Sequence, residues 1–238
     1  MKYRQLFIFF SILSVLLSST GRAQTKVYLI PSLHGLHKQN QNYSYDSLKL
    51  LINRLNPDLI AVEIREIDVP EDTNYLKKNY PFEMWMMKYW FPATKVEGFD
   101  WLGEEIEGKL IPLNYWKEIS SVKKCEIALS NDSLYKVRIS SCDSFGIARM
   151  EILKTSSLKE ILVSNDAALC TQYYNCYSTL LTGSDYELIP KFNNKRNEKI
   201  LQNINEIIRK NRNKTIVVVT GDDHYVYLKH RISHCQIY

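Results

Sequence analysis

The sequence predicts a single α/β domain with a mainly parallel central sheet, flanking helices and an inserted helical region. Mostly apolar runs at 26–30, 59–62 and 215–219 have the length and composition of buried strands, and 95–99 is a further short strand. Helical patterns separate them, which is typical of βαβ units and a parallel sheet. The chain has 238 residues, 45% hydrophobic and 24% charged, which fits one globular domain and excludes a disordered chain or a small disulfide scaffold.

Residues 1–23 are predicted to be a secretory signal peptide, and 24–238 the mature domain. A basic start, the apolar run 6–17 and a small-residue site ending at Ala23 support this, and we place cleavage after Ala23. The apolar run is shorter than the roughly 20 residues of a membrane span, so we expect no stable span after cleavage. The mature protein is therefore expected in the periplasm or outside the cell.

The basic character of the full chain comes largely from this leader. The chain carries 31 Lys and Arg against 26 Asp and Glu, a net charge of +5. The leader contains three of these basic residues and no acid, so the mature chain keeps 28 against 26, a net +2. These basic residues are dispersed among acids, and no nucleic-acid-binding motif occurs, so we expect no nucleic-acid partner.

The first βαβ unit occupies about 40 residues. Residues 26–30 form the first strand, and Ser44 is the predicted N-cap of a helix with apolar residues at helical spacing over 48–55. An Asn-Pro pair ends that helix, and the second strand, 59–62, leads to Glu63. A right-handed crossover places the two strands side by side or nearly so.

A further helix is predicted to open at Pro81 and to carry an aromatic stripe. The stripe comprises Phe82, Trp85, Met86, Tyr89 and Trp90. Such a stripe packs in a core or lines a ligand cleft, and the core is favoured here. The third strand, 95–99, follows and leads to Asp100.

Residues 105–190 make up the predicted helical insertion, in which 145–169 is the clearest helical stretch. A strongly amphipathic helix then begins near residue 193. The last strand, 215–219, runs into Gly-Asp-Asp-His at 221–224, which is predicted to open a final helix.

Five cysteines follow the leader: Cys125, Cys142, Cys170, Cys176 and Cys235. An exported protein can form disulfides, and an odd number leaves at least one thiol free or paired between chains. Cys170 and Cys176 are near enough in sequence to close a small loop, and Cys142 is another candidate partner. No CxxC pair occurs, so the sequence supports neither a zinc knuckle nor a thioredoxin-type redox pair.

Polar side chains collect where the predicted strands end. They are His34 and His37 after the first strand, Glu63 and Arg65 after the second, Asp100 after the third, and Asp222, Asp223 and His224 after the last. Ligands of open α/β sheets bind outside the carboxyl ends of the strands. His34, Glu63 and His224 could hold a divalent metal that acidifies a water molecule. Without metal, a histidine could take the proton from water while Glu63 orients it, and Arg65 could steady an anionic group.

These motifs resemble the erythromycin-esterase/ChaN/Tiki/TraB superfamily. Residues 31–34 look like the first of its two GxxH motifs, and 221–224 match the second. Residues 57–63 resemble the strand of the family that ends in Glu. Arg196-Asn197 resembles the Arg-Asn pair that begins its penultimate helix. The resemblance covers about 25–101 and 193–232. It departs from the family pattern at Pro31, where the family has glycine.

The resemblance implies an α/β fold with an inserted helical part and a site containing His34, Glu63 and His224. Asp100 is expected to support these catalytic residues. The expected substrate-binding residues are Arg65, Arg196, His37 and Glu83. Glu83 could also be a further acid or base, although a solvated position on its helix is the favoured interpretation. His37 is an additional histidine outside the family motif.

Members of the superfamily differ in activity: Tiki proteins are metal-dependent proteases, erythromycin esterases hydrolyse a lactone, and ChaN-like members bind haem. We therefore expect an exported hydrolase that uses activated water, with or without a divalent metal, on an amide or ester of a peptide or small molecule. The alternatives are a non-catalytic protein that binds haem, metal or a peptide, and a folded but inactive member. A serine hydrolase with a GxSxG motif is excluded, because the motif does not occur.

Overall fold

The computed structural model describes residues 25–232 and 235–237. They form an α/β fold with a parallel sheet covered by helices on both faces, so the predicted fold class is confirmed at this level. The predicted leader, 1–23, lies outside the described residues. Within the described ranges, no helix combines the length and the apolar character needed to cross a membrane.

All the strands of the described chain run parallel. They are β1 (Lys26–Ser32), β2 (Leu59–Val62), β3 (Lys95–Gly98), β4 (Thr215–Gly221) and β5 (Cys235–Ile237), and their order across the sheet is β3-β2-β4-β1-β5. β4 therefore lies between β1 and β2, which are one strand apart. The short edge strand β5 was not predicted.

The helices follow the strands in the order expected for crossover connections. They are α1 (Tyr45–Leu55), α2 (Thr73–Asn79), α3 (Phe82–Trp90), α4 (Ser121–Asn131), α5 (Ser133–Thr155), α6 (Leu158–Val163), α7 (Asp166–Leu181), α8 (Leu188–Lys210) and α9 (Asp222–Leu228). Helices α4 to α7 occupy the region predicted as an insertion. That this region is inserted into a smaller fold stays a prediction.

The sheet buries two cores, because successive residues of a strand point to opposite faces. On one face Ile30 and Val219 pack with residues of α1 and α3. On the other face Leu29 and Val218 pack with residues of α8 and α9. Burial on both faces explains why these strands are continuous apolar runs in the sequence.

Local capping explains several helix boundaries. The Ser44 side chain accepts a hydrogen bond from the Ser47 backbone N–H, so the predicted N-cap of α1 is confirmed. Asn56, with a left-handed φ of 45°, ends this helix. Pro81 stands at the N-cap of α3 rather than at its first position, and the helix begins at Phe82.

The middle of the chain is divided into more helices than predicted. The predicted helical stretch 145–169 is helical over most of its length, but it belongs to three helices, because Ser157 and Glu160 form a capping box that starts α6 within it. Helix α8 begins before residue 193, with Pro190 in its first turn, where a missing N–H removes no helical hydrogen bond.

The aromatic stripe of α3 packs mainly in the core. Trp85 is 7% exposed, and Met86 and Trp90 pack against the same buried cluster. Phe82 and Tyr89 lie at the surface. The favoured core interpretation therefore holds for the inner side of the stripe.

A disulfide joins Cys142 of α5 to Cys176 of α7. The candidate pairing of Cys170 with Cys176 is therefore wrong, and Cys170 is a buried free thiol. Cys125 is also free. The sequence could not decide between these partners, because the pairing depends on how α5 packs against α7.

Removing this disulfide is expected to lower the free energy of unfolding by about 3–4 kcal/mol, because it closes a loop between residues 34 positions apart. Urea unfolding of Cys142→Ala/Cys176→Ala against the parent measures the loss. Cys125→Ala, which removes a free thiol, should change stability by less than about 1 kcal/mol. Equal stability of the double variant and the parent would contradict the pairing.

Candidate active site

A cleft of about 480 Å³ opens at the carboxyl ends of the central strands. His34 follows β1, Glu63 follows β2 and His224 follows β4, and all three line the cleft. Residues of α7, α8 and α9 form its walls. The structure thus brings together the three residues predicted as the centre of the site.

Glu63 lies between the two histidines and is 5% exposed. Its Oε2 accepts the Gly221 backbone N–H at 2.7 Å, its Oε1 accepts Arg196 Nη2 at 2.9 Å, and His224 Nε2 is 3.5 Å from Oε1. Burial alone would raise the pKa of Glu63, but His224, Arg196 and His34 outweigh it and lower the pKa to about 2. Glu63 is therefore ionised throughout the neutral range.

Arg196 of α8 bridges two carboxylates. Its Nε and Nη2 donate to Asp100 at 2.9 and 3.0 Å, and Nη2 also donates to Glu63. These bonds leave Nη1 unused, and Arg196 lines the cleft. Asp100 is 6% exposed and stands behind Arg196, so it positions the guanidinium rather than contacting a ligand in the cleft.

His34 is held by a carboxylate from α3. Its Nδ1 donates to Glu83 Oε1 at 2.7 Å, and the Ser32 hydroxyl donates to the same oxygen at 2.5 Å. Glu83 is fully buried, so its interpretation as a solvated residue of the helix is wrong. Its carboxylate orients His34 and does not have the predicted role of contacting the substrate.

The contacts of His34 also set its charge. Burial alone would lower the pKa of His34, but the hydrogen bond to Glu83 and the charge of Glu63 outweigh it and raise the pKa to about 9. The ring is therefore protonated at neutral pH, with Nδ1 held by Glu83 and Nε2 next to Gly221, which also lines the cleft.

The turn that carries His34 tolerates the proline of its motif. Pro31 lies within β1, and its carbonyl accepts the Tyr43 hydroxyl at 2.7 Å. The left-handed residue of this turn is His34 itself, with φ of 49°. Non-glycine residues in that region cost of order 1 kcal/mol and cluster at functional sites. The missing glycine therefore does not obstruct the turn.

His224 is neutral, in contrast to the protonated ring of His34. Its Nδ1 donates to Asn197 Oδ1 at 2.6 Å. Burial lowers the pKa of His224 below its ordinary value, although the Glu63 carboxylate pulls the pKa upward. The neutral ring, with its proton on Nδ1, keeps a lone pair on Nε2. Asn197 was part of the Arg-Asn motif but was not predicted as a site residue.

Arg149 of α5 anchors the segment just before His224, and sequence reasoning missed it. Its Nη1 and Nη2 each donate at 2.5 Å, to Asp223 and Asp222, and its Nε donates to Asp166 of α7 at 3.0 Å. Arg149 is 7% exposed. No motif marks it, because its partners are 73 and 74 residues away in sequence.

Two predicted substrate-binding residues lie outside the cleft. His37 is 2% exposed, donates through Nδ1 to the Tyr43 carbonyl and accepts the Leu33 N–H at Nε2. Arg65 is 6% exposed and makes a two-point ion pair with Asp68 at 2.7 and 2.9 Å. Both side chains hold local backbone in place, so we no longer assign them to substrate binding.

The contacts of the cleft do not fit a divalent metal. Glu63 already accepts hydrogen bonds from Arg196, Gly221 and the Thr220 hydroxyl. A guanidinium 2.9 Å from Oε1 is a fixed positive charge that repels a cation at this carboxylate. Among the described residues, no group of three or more His, Cys, Asp or Glu side chains is arranged to hold a metal. The metal role predicted for His34, Glu63 and His224 therefore has no support in these contacts.

The chain matches no protein-family model, no curated protein and no solved structure. The superfamily resemblance stays a prediction that rests on its short motifs. The chemistry of the cleft is therefore argued from its own residues.

Proposed function

We propose that this protein is a hydrolase that cleaves an amide or an ester with a water molecule activated by His224, without a metal ion. The observation that carries the proposal is the opposite protonation of two histidines in one cleft. His224 is neutral with a free Nε2, whereas His34 is cationic with a proton on Nε2. Environments that separate the pKa values of two neighbouring groups create an acid and a base.

In this reaction His224 Nε2 takes a proton from water, and the hydroxide attacks the carbonyl carbon. Arg196 Nη1 donates to the carbonyl oxygen as negative charge develops there. His34 Nε2 gives its proton to the leaving alcohol or amine when the C–O or C–N bond breaks. The products are a carboxylic acid and an alcohol or amine, and proton exchange with solvent restores both rings.

Glu63 acts by charge and position. Its Oε1 is 3.5 Å from His224 Nε2, so it stabilises the imidazolium that forms when His224 takes the proton. Its hydrogen bonds to Arg196 and to the Gly221 N–H fix the guanidinium and the strand end on either side. The superfamily resemblance, with activated water and the same three residues, supports the proposal.

Export of the mature protein, to the periplasm or the cell exterior, is part of the proposal. The sequence of the leader supports it. The disulfide between Cys142 and Cys176 supports it independently, because such bonds persist in oxidising compartments.

The haem-binding alternative has weaker support in the cleft. Haem pockets need a broad apolar wall, and Val226 is the one aliphatic side chain among the described residues that line this cleft. Addition of haem to the purified protein should therefore give no shifted Soret band. A stoichiometric shift would favour the binding protein over the hydrolase.

The pH dependence of kcat/KM tests the acid–base assignment. We expect a bell-shaped profile of kcat/KM against pH. Its acid limb lies below about pH 6.5, where His224 is protonated, and its alkaline limb lies near pH 9, where His34 loses its proton. Hydrolysis of ethyl acetate, whose alkoxide leaving group needs a proton, is followed as acetate release between pH 4 and about 10.5 and measures both limbs. A rate that keeps rising with hydroxide across the whole range would contradict the assignment.

Glu83→Gln is expected to move the alkaline limb toward the ordinary histidine pKa of about 6.5, because the amide cannot stabilise the His34 cation. Comparison of the two pH profiles measures the shift. Asp222→Asn is the comparison variant, because burial and Asp223 raise the pKa of Asp222 to about 7 and its charge also raises the pKa of His34. It should move the alkaline limb in the same direction but by less than Glu83→Gln, since Asp222 contributes least to the pKa of His34. An unmoved alkaline limb in Glu83→Gln would remove His34 as the acid.

A further inference from the structure

We infer that Asn197 is a positioning residue for the proposed base: its amide oxygen keeps the ring proton of His224 on Nδ1, against the attraction of the Glu63 carboxylate at the other ring nitrogen. The inference rests on the proposed function and concerns the same cleft. Three features carry it: a short contact at Nδ1, a longer contact at Nε2, and the fixed position of Asn197 on α8.

The contact at Nδ1 identifies the amide oxygen as the partner of the ring. Asn197 Oδ1 is 2.6 Å from His224 Nδ1. A separation this short suits an N–H donor and an oxygen acceptor, whereas a contact between two nitrogens would be longer. An amide oxygen only accepts hydrogen bonds, so the proton in this contact belongs to Nδ1. The lone pair of the ring is therefore left on Nε2.

The contact at Nε2 is longer, and its partner is a charged group. His224 Nε2 is 3.5 Å from Glu63 Oε1, beyond the usual hydrogen-bond length of about 2.7–3.2 Å. That oxygen already accepts Arg196 Nη2 at 2.9 Å. A carboxylate still attracts a proton at Nε2, where it would occupy the lone pair that must receive a proton from water. The shorter hydrogen bond to Asn197 therefore decides the competition in favour of Nδ1.

Helix α8 holds the amide in place. Asn197 directly follows Arg196, whose guanidinium bonds both Asp100 and Glu63. These ion pairs fix the part of the helix that carries Asn197. Within the described residues, the carboxamide makes no hydrogen bond other than the one to His224. The contact with the ring is therefore the role that the structure supports for this side chain.

The partner at Nδ1 is neutral, and the charge lies elsewhere. In many catalytic sites a carboxylate bonds the ring nitrogen that does not react and stabilises the imidazolium. In this cleft an amide occupies that position, and Glu63 lies at the reacting nitrogen of His224. Burial and one arginine lower the pKa of His224, whereas three carboxylates raise this pKa. They are Arg196 on one side and Glu63, Asp100 and Asp223 on the other. The amide therefore supplies orientation, and the carboxylates compensate the charge of the imidazolium.

NMR of protein labelled at the histidine nitrogens locates the ring proton, because protonated and unprotonated ring nitrogens differ in chemical shift. His224→Ala identifies the signals of His224. We expect the parent to carry the proton on Nδ1 at pH 7.5. Asn197→Leu keeps the approximate size of the side chain but removes the acceptor, so the proton should move to Nε2, next to Glu63. We expect kcat for ethyl acetate to fall about 10²-fold with KM unchanged, because the base has lost its lone pair.

Asn193→Leu is the matched control. Asn193 lies one turn earlier on α8 and lines the same cleft, but within the described residues it makes no hydrogen bond to His224. The same substitution at this position should leave the ring proton and kcat as they are in the parent.

Asn197→Asp is a second variant, which keeps an oxygen acceptor and adds a negative charge. The proton should stay on Nδ1, while the new carboxylate should raise the pKa of His224 by at least about 1. The acid limb of kcat/KM should move to higher pH by the same amount, because His224 must lose its added proton to act as the base. A residue that only stabilised the fold would leave this limb unmoved.

The outcomes separate this inference from the proposed function. A proton on Nε2 in the parent, a proton that stays on Nδ1 in Asn197→Leu, or parental kcat in Asn197→Leu overturns the inference. In each of these cases, hydrolysis of ethyl acetate by the parent still supports a hydrolase. If the proton moves as expected but the parent hydrolyses no ester or amide, Asn197 still orients His224, and the hydrolase is overturned.

Discussion

His224→Ala is expected to lower kcat for ester hydrolysis by about 10²–10⁴-fold, because it removes the base that takes the proton from water. KM should change little, since His224 contacts the water rather than the substrate. Steady-state kinetics at pH 7.5 with 4-nitrophenyl acetate measure both parameters. The rate that remains in the variant measures the contribution of the other groups of the cleft, chiefly Arg196 and His34.

His230→Ala is the matched control for this variant. His230 lies six residues further along the chain and is exposed. Its loss should leave kcat and the circular dichroism spectrum at parental values. Parental activity in His224→Ala, with a fold shown intact by the same spectrum, would overturn the assignment of His224 as the base.

Gly221→Ala is expected to reduce kcat/KM by about 100-fold, because a methyl group would occupy the space that the His34 ring needs. A Cβ at this position would lie 2.5 Å from His34 Nε2 and 3.4 Å from Glu63 Oε2. The ring must move, and a displacement of about 1 Å at a reacting group costs about 10²-fold. Gly221 has φ of −54°, so the requirement is for space and not for a left-handed backbone.

Gly35→Ala separates this steric effect from a general effect of alanine near the site. Gly35 is next to His34 in sequence, yet a Cβ there meets nothing within 4 Å. We expect parental kcat/KM for Gly35→Ala and measure thermal unfolding of both variants. Parental kcat/KM for Gly221→Ala would show that the close approach of His34 has no part in the reaction.

Strands β1 to β4 and the positions of His34, Glu63 and His224 could be predicted because they have local signatures, whereas the short edge strand β5 was not predicted. Strands buried on both faces are continuous apolar runs, and the residues that follow parallel strands meet at one edge. The position of a residue after a strand does not, however, predict the direction in which its side chain points. His37 and Arg65 also follow strands, but they turn inward to bond a backbone carbonyl and Asp68.

The contacts of the supporting residues could not be predicted, because their partners are distant in sequence. Arg149 meets Asp222 across 73 residues, and Glu83 meets His34 across 49. Such pairs depend on how the helices pack, and a single charged residue on a helix has no local signature that distinguishes it from a solvated one. The same reason left the partner of Cys176 undecided.

Because β4 lies between β1 and β2 in the sheet, the order in which the strands are synthesised affects how the protein folds. Lys26 pairs with Thr215, so the central contact of the sheet joins residues that are far apart in the sequence. The ribosome must deliver β4 before β1 gains its main partner, and such long-range pairing folds slowly. A nascent chain that ends before β4 lacks the strand that joins β1 to the pair of β2 and β3, and it also lacks His224. If the protein is exported, this delay keeps the segment before β4 incompletely folded, in a form that a translocation channel can accept.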